Sequence, residues 1–94
     1  MFLVSNMELT GQEKFQIQYL LPVQGSLSTL EQVENILNKL NIKAEDATSE
    51  AIETVDLTGN EIQFLIEMIE ILDKAQKLSL PSMSLIRKIL KFKE

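Results

Sequence analysis

Two short stretches, MELTGQE (Met7 to Glu13) and VDLTGNE (Val55 to Glu61), decide the fold that we predict for this chain. Each contains a threonine followed three residues later by a glutamate, which is the spacing of a helix capping box. In that motif the threonine hydroxyl accepts a hydrogen bond from the first helical turn, and the glutamate accepts one from the N–H of the threonine. We therefore predict that one helix begins after Thr10 and another after Thr58.

The likeness between the two halves of the chain extends beyond these caps. The segment SLSTLEQVENILNK (26–39) matches SLPSMSLIRKILKF (79–92) in its opening Ser-Leu pair and in the spacing of its branched apolar residues. Each half reads as helix, turn, Ser-Leu and helix, which is typical of an αα-hairpin. Duplication, convergence on one simple pattern, and coincidence in a chain this short would each account for the likeness.

These patterns predict a mainly α protein with two αα-hairpins, and therefore four helices, around one core. A chain of 94 residues has room for a single domain. We assign residues 1–94 to it, with a first hairpin at about 10–41, a linker at about 42–57 and a second hairpin at about 58–92. The expected helices cover about 11–21, 30–40, 59–77 and 82–92.

Several segments leave an alternative open. KFQIQYL (14–20) alternates apolar and polar residues as a strand does, although the cap and its second copy favour a helix. The segments that precede Thr10 and Thr58 are rich in residues that favour strands, so they can pair as a short two-stranded ribbon. Between the hairpins, residues 43–50 are small and acidic, and we expect a linker or a weak helical turn there.

The helix predicted at 59–77 is apolar around most of its circumference. Such a helix lies at the centre of a core or in an oligomer interface. A four-helix monomer of this size can cover much of that surface, but Phe64, Met68 and Ile71 need a further partner. We therefore expect a homodimer formed through this helix, because a large exposed apolar patch is rare on a soluble monomer.

The composition argues against catalysis, because the chain contains no His, no Cys and no Trp. It lacks the usual general base near neutral pH, the thiolate nucleophile and the commonest transition-metal ligand. Glu45, Asp46 and Glu50 carry oxygen ligands for a hard cation, but they lack the ligand alternation and the central glycine of a calcium loop. We expect no enzyme activity, no cofactor and no metal site.

Nothing in the sequence predicts a membrane protein. The opening residues lack a basic region ahead of their apolar residues, and the most apolar run, 62–72, is about half of the ~20 residues that cross a bilayer. The absence of cysteine suits a reducing compartment. We expect a soluble, cytoplasmic protein.

Charge is distributed unevenly along this acidic chain, whose net charge is −5. Residues 1–86 hold five lysines and thirteen acidic residues, whereas the tail RKILKFKE holds four basic residues and one glutamate. Basic residues complement the dipole at a helix C-terminus, and they can also contact phosphates or an acidic partner. The candidate contact residues are Arg87, Lys88, Lys91 and Lys93. The acidic body suits a protein that presents carboxylates in place of phosphates, with Glu31, Glu34, Glu45, Asp46 and Glu50 as candidates.

The runs MELTGQEKFQIQYLLPVQGSLSTLEQVENILNKLN and VDLTGNEIQFLIEMIEILDKAQKLSLPSMSLIRKI resemble a group of small helical proteins encoded by phages and prophages. Those proteins share a Leu-Thr-x-x-Glu cap, Leu-Leu-Pro, a glycine turn and Thr-Leu, followed by a second capped helix. They have a longer, strand-forming middle where this chain has IKAEDATSEAIET, so the properties of that insert do not carry over. The resemblance implies a mobile-element origin and an accessory role.

We predict a non-catalytic protein-interaction module with a protein partner, acting as an inhibitor, an adaptor or an assembly part. The alternative is a nucleic-acid-binding regulator that uses the basic C-terminal helix. A pI near 4.7 and the lack of a basic stripe elsewhere in the chain argue against that alternative.

Overall fold

The chain alternates one strand with two helices, twice. A computed structural model describes residues 4–93, and it describes the side chains of residues 6–92. Within that range the fold is mainly helical with a small two-stranded sheet, as the sequence predicts. The elements are β1 (Val4–Thr10), α1 (Gly11–Leu20), α2 (Leu27–Leu40), β2 (Ile52–Thr58), α3 (Gly59–Lys74) and α4 (Met83–Leu90), with short 3₁₀ turns at Ala44–Thr48, Leu80–Ser82 and Lys91–Lys93.

The ribbon that the sequence left open is present, with β1 antiparallel to β2 and Met7 opposite Val55. These two residues hold the same position in the repeated motif, so a local two-fold axis relates the two strands. Met7, Leu9, Val55 and Leu57 are buried on the face that packs against the helices. A two-stranded ribbon is marginal alone, and this packing stabilises it.

Both capping boxes form as predicted. The Thr10 hydroxyl accepts from Glu13 N at 3.1 Å, and Glu13 Oε1 accepts from Thr10 N at 2.9 Å. Thr58 and Glu61 repeat these bonds at 3.2 and 2.8 Å. The segment 11–20 is therefore a helix and not a strand.

Replacing Thr10 or Thr58 with alanine should lower the free energy of unfolding by about 1 kcal/mol at each site, because a helical N–H loses its acceptor. Urea denaturation of the two variants measures the loss. Thr48→Ala is a matched control, since Thr48 is exposed at the end of a 3₁₀ turn. A loss at Thr10 or Thr58 no larger than that of the control would contradict the prediction.

Three helix boundaries differ from the predicted ones by two or three residues. α2 begins three residues earlier, at Leu27, because the Ser26 hydroxyl accepts from Thr29 N at 3.1 Å and caps the helix there. α3 ends at Lys74, where Gln76 adopts a left-handed φ of 57° and Lys77 N donates to Leu72 O at 2.8 Å. That bond satisfies a carbonyl of the last turn and redirects the chain. α4 ends at Leu90 and continues as a 3₁₀ turn.

The helices pack unevenly around the ribbon. α3 packs against α4, and α1 packs against both, whereas α2 packs mainly against β2. Both strands and all four helices contribute side chains to the core. The core residues with no exposed surface are Leu9, Ile17, Ile36, Leu57, Leu65, Leu85 and Ile89.

The segment that joins the two halves is part of this packing. The predicted linker contains the 3₁₀ turn Ala44–Thr48, after which an extended stretch lies along the start of α1. Gln12 N donates to Ser49 O at 3.0 Å, and Gly11 N donates to Ala51 O at 3.2 Å. A Cβ on Gly11 would lie 2.7 Å from the Ser49 Cβ, so the close approach requires glycine.

Candidate interaction surface

The four basic residues predicted as contacts do not form one exposed cluster. The Lys88 ammonium donates to Glu13 Oε1 at 2.6 Å and to the Glu8 carbonyl at 3.1 Å, so it joins α4 to the start of α1 and to β1. Lys88 therefore has a structural role that its position in the sequence did not indicate. Arg87 and Lys91 are exposed, and the side chain of Lys93 lies outside the described residues.

A second lysine forms an ion pair with the glutamate of the other capping box in the same way. The Lys39 ammonium of α2 lies 2.5 Å from Glu61 Oε1 at the start of α3. Lys88 belongs to the second half of the chain and pairs with the cap of the first half, whereas Lys39 belongs to the first half and pairs with the cap of the second. The two halves thus stabilise each other's first helical turn.

The predicted acidic contact Asp46 is buried, which corrects its expected place on the surface. Its side chain is 9% exposed, and its Oδ2 lies 3.6 Å from the Lys14 ammonium. Lys14 is 2% exposed and lies 2.5 Å from Glu53 Oε2. Asp46 also accepts from the Lys43 N–H at 2.7 Å. A carboxylate enclosed in this way fastens the linker to α1 and is withheld from any partner.

The other predicted acidic residues are exposed on two separate elements. Glu31 and Glu34 lie on α2, and Glu45 and Glu50 lie in or beside the 3₁₀ turn of the linker. Glu50 borders a cleft of about 350 Å³ at the start of α1. Among residues 4–93, no three carboxylates come close enough together to hold a metal ion.

A groove between α2 and α3 brings together side chains that the sequence did not single out. Two adjoining clefts of about 510 and 410 Å³ share Gln32 and Asn60 among their lining residues. We call their combined surface the amide groove, after the five carboxamides that line it. These are Gln32, Asn35 and Asn38 of α2 and Asn60 and Gln63 of α3. All five are exposed, and none of their side chains forms a hydrogen bond within the described part of the chain.

The two ends of the amide groove differ in chemistry. The Lys39–Glu61 ion pair borders one end, so the charge of its cation is largely compensated. Half-buried Phe64 and Met68 border the other end, beside Glu67. The groove is therefore a neutral, hydrogen-bonding surface with one apolar and acidic end.

The carboxyl groups of the two capping boxes have shifted acidities. Burial by itself raises the pKa of Glu13, but hydrogen bonds from Lys88 and Thr10 and the charge of Lys88 together lower it below its usual value. Burial likewise raises the pKa of Glu61, and Lys39 and Thr58 outweigh that effect and lower it. Both groups are therefore held in their charged form.

These shifts predict how stability depends on pH. Because each pKa is lower in the folded than in the unfolded chain, the stabilisation is fully present above the unfolded pKa of about 4.3 and is lost as pH falls through the folded pKa. The free energy of unfolding of the wild type, measured in urea at several pH values, should decrease below about pH 4.3. The decrease should be less steep in the double variant Glu13→Gln with Glu61→Gln, which lacks both carboxyl groups.

The exposed pair Glu31→Gln with Glu34→Gln is the control for that experiment, and it should retain the wild-type slope. An equal flattening of the slope in both double variants would contradict the assignment to the capping boxes.

The α2 side of the amide groove corresponds to a pattern that is visible in the sequence. Gln32, Asn35 and Asn38 recur every three residues on the polar side of α2. Nothing in the sequence indicates that Asn60 and Gln63 face them, because α2 and α3 are separated by the linker and β2.

No helix in the part of the chain that the structure describes combines the length and the apolar composition needed to cross a membrane. The chain matches no protein-family model, no curated protein and no solved structure.

Proposed function

We propose that this protein is a non-catalytic protein-interaction module that binds its partner through the amide groove and the adjoining face of α2. The observation that carries the proposal is the concentration of five exposed carboxamides along one concave surface. Each carboxamide offers two donors and one acceptor oxygen, and none is used within the described residues. Binding sites are usually concave and carry a few polar groups that fix the orientation of the ligand.

The charge of α2 indicates the kind of partner. Glu31 is four residues from Asn35, and Glu34 is four residues from Asn38, so each glutamate lies one helical turn from an amide of the groove. Both glutamates are exposed. A partner surface with basic residues would complement this rim, and electrostatic complementarity of this kind favours both specificity and fast association.

We propose the origin and the architecture of the protein on the basis of its sequence. The protein is an accessory protein of a phage or prophage, acting in the cytoplasm as an inhibitor, an adaptor or an assembly part. Its two halves are αα-hairpins, each preceded by a strand. Packing of α3 against α4 supports the second hairpin, whereas α2 packs mainly against β2 and joins the first half to the second.

The nucleic-acid-binding alternative has less support. Lys88 is bonded to Glu13 and Glu8, which leaves Arg87 and Lys91 as the exposed basic residues among the described side chains of the tail. A chain with a net charge of −5 repels a duplex from most directions.

Capture experiments with the full chain test the proposed function. We expect immobilised wild type to retain a partner from a bacterial lysate, and Asn35→Arg with Asn60→Arg to lose it, because two large cations then occupy the groove. Gln24→Arg with Thr48→Arg adds the same charge at exposed positions outside the groove and should retain the partner. Equal capture by all three proteins would contradict the assignment of the groove. Tight, steeply salt-dependent binding of duplex DNA in a gel shift would favour the regulator.

We also propose that α3 mediates a homodimer. Ile71 is 57% exposed on the same side of the helix as the half-buried Phe64 and Met68. It lines neither cleft of the amide groove, so we place the centre of the dimer contact at Ile71 and leave the groove open. Light scattering at micromolar concentration should return twice the 10.7 kDa of one chain. Ile71→Glu should return the mass of one chain, because a buried unpaired carboxylate opposes association. A single-chain mass for the wild type would refute the dimer.

A further inference from the structure

We propose that the occupant of the amide groove is an extended peptide segment of the partner, neutral at its centre and flanked by basic residues. This inference rests on the proposed function and specifies the ligand of the same site.

The lining of the groove suits an extended main chain. An extended segment presents unpaired N–H and C=O groups at every residue, and a carboxamide can donate to one and accept from the other. A helical partner has satisfied its own backbone groups, so it leaves such amides without main-chain partners. Carboxamides on both walls therefore favour an extended occupant over a helical one.

The dimensions of the groove agree with this occupant. Gln32, Asn35 and Asn38 span about 9 Å along α2 at 1.5 Å per residue. Four residues of an extended strand cover about 10 Å from the first to the last. The three amides of α2 can therefore contact a stretch of about four residues of a peptide that runs along the helix, while Asn60 and Gln63 contact it from α3.

The apolar end of the groove adds a side-chain preference. Phe64 and Met68 are half-buried there and leave part of their apolar surface in the cleft of about 410 Å³. A methionine adapts its shape to different apolar groups. One apolar side chain of the peptide can bury itself at this end, which gives the segment a direction along the groove.

The charges around the groove select basic flanks. Glu67 borders the apolar end, and Glu31 and Glu34 lie one turn from the amides of α2. Lys39, the one basic residue among the described residues that line the two clefts, is paired with Glu61. A phosphate backbone in this groove would face carboxylates, whereas lysine or arginine side chains beside the bound segment would be attracted to them.

Selection from a random twelve-residue peptide library against the full chain tests the proposal. We expect enriched peptides with basic residues around a short neutral core. In an NMR titration they should shift the side-chain NH₂ signals of the five groove amides. Asn35→Leu with Asn60→Leu should weaken the selected peptide about tenfold, the effect of losing one to two hydrogen bonds. Gln24→Leu with Thr48→Leu is the control outside the groove and should bind as wild type.

The remaining outcomes overturn the proposal. A library that yields no binder, a selected peptide that shifts signals around Lys91 and Phe92, or equal binding by the two double variants would each show that the groove does not take an extended segment. If the arginine variant of the groove still loses the captured protein, the proposed function stands and only the extended ligand is wrong. If that variant captures the protein as wild type does, the proposed function also fails.

Discussion

Replacing Lys14 with alanine should lower the free energy of unfolding by about 3–5 kcal/mol, the cost of breaking a buried ion pair. The Lys14 side chain is 2% exposed, and its ammonium is 3.6 Å from Asp46 Oδ2. Without the lysine, the Asp46 carboxylate keeps its hydrogen bond from the Lys43 N–H but loses the charge that compensates it. The carboxylate must then take up a proton, be hydrated by water that enters the cavity, or detach the linker from α1. Urea denaturation at neutral pH measures the loss.

Two further variants separate the effect on stability of losing the Lys14 charge from the effect of losing its side-chain volume. Lys77→Ala removes an exposed lysine and should change stability by no more than about 0.5 kcal/mol. Lys14→Met with Asp46→Asn removes both charges while keeping similar volumes, and it should recover a substantial part of the loss. If Lys14→Ala costs no more than the control, the pair is not a determinant of the fold.

Replacing Leu65 with alanine should lower the free energy of unfolding by about 2–5 kcal/mol. Leu65 has no exposed surface and lies in the middle of α3, which contacts α1, β2 and α4. Truncation removes buried apolar surface and leaves a cavity that packed elements on several sides cannot readily fill. Thermal and urea unfolding of the variant provide the measurement.

Leu27→Ala is the matched control for this cavity, because Leu27 is also helical but is 75% exposed. It should change stability by no more than about 0.5 kcal/mol. Similar losses in the two variants would mean that α3 does not bury Leu65 in a tight core.

Local patterns were sufficient to predict the helices, and they left the ribbon as an open possibility. A capping box involves residues three positions apart, so Thr10 with Glu13 and Thr58 with Glu61 reveal two helix starts without knowledge of the remaining chain. The early start of α2 was missed because Ser26 caps it without a glutamate three residues later. These features depend on neighbours along the chain, and covalent geometry brings such neighbours together whatever the tertiary packing is.

The roles of the charged residues required the packed structure. Lys88 lies 75 residues from Glu13, and Lys39 lies 22 residues from Glu61, yet each lysine completes the capping box of the opposite half. The sequence indicated that Lys88 either complements the end of α4 or contacts a partner, and it gave Asp46 as a candidate for an acidic contact surface. These charged side chains stabilise the fold because an element distant in sequence packs beside them. The local sequence around each side chain does not indicate which element that is.

The amide groove depends on tertiary structure for the same reason. Composition could exclude the common catalytic residues, because no packing supplies a histidine or a cysteine that the chain lacks. Composition could not locate a binding surface, because Asn35 and Asn60 belong to different halves of the chain and border one groove only after α2 has docked on β2. A site made by two elements exists only at a particular distance and rotation between them, and long-range packing sets both.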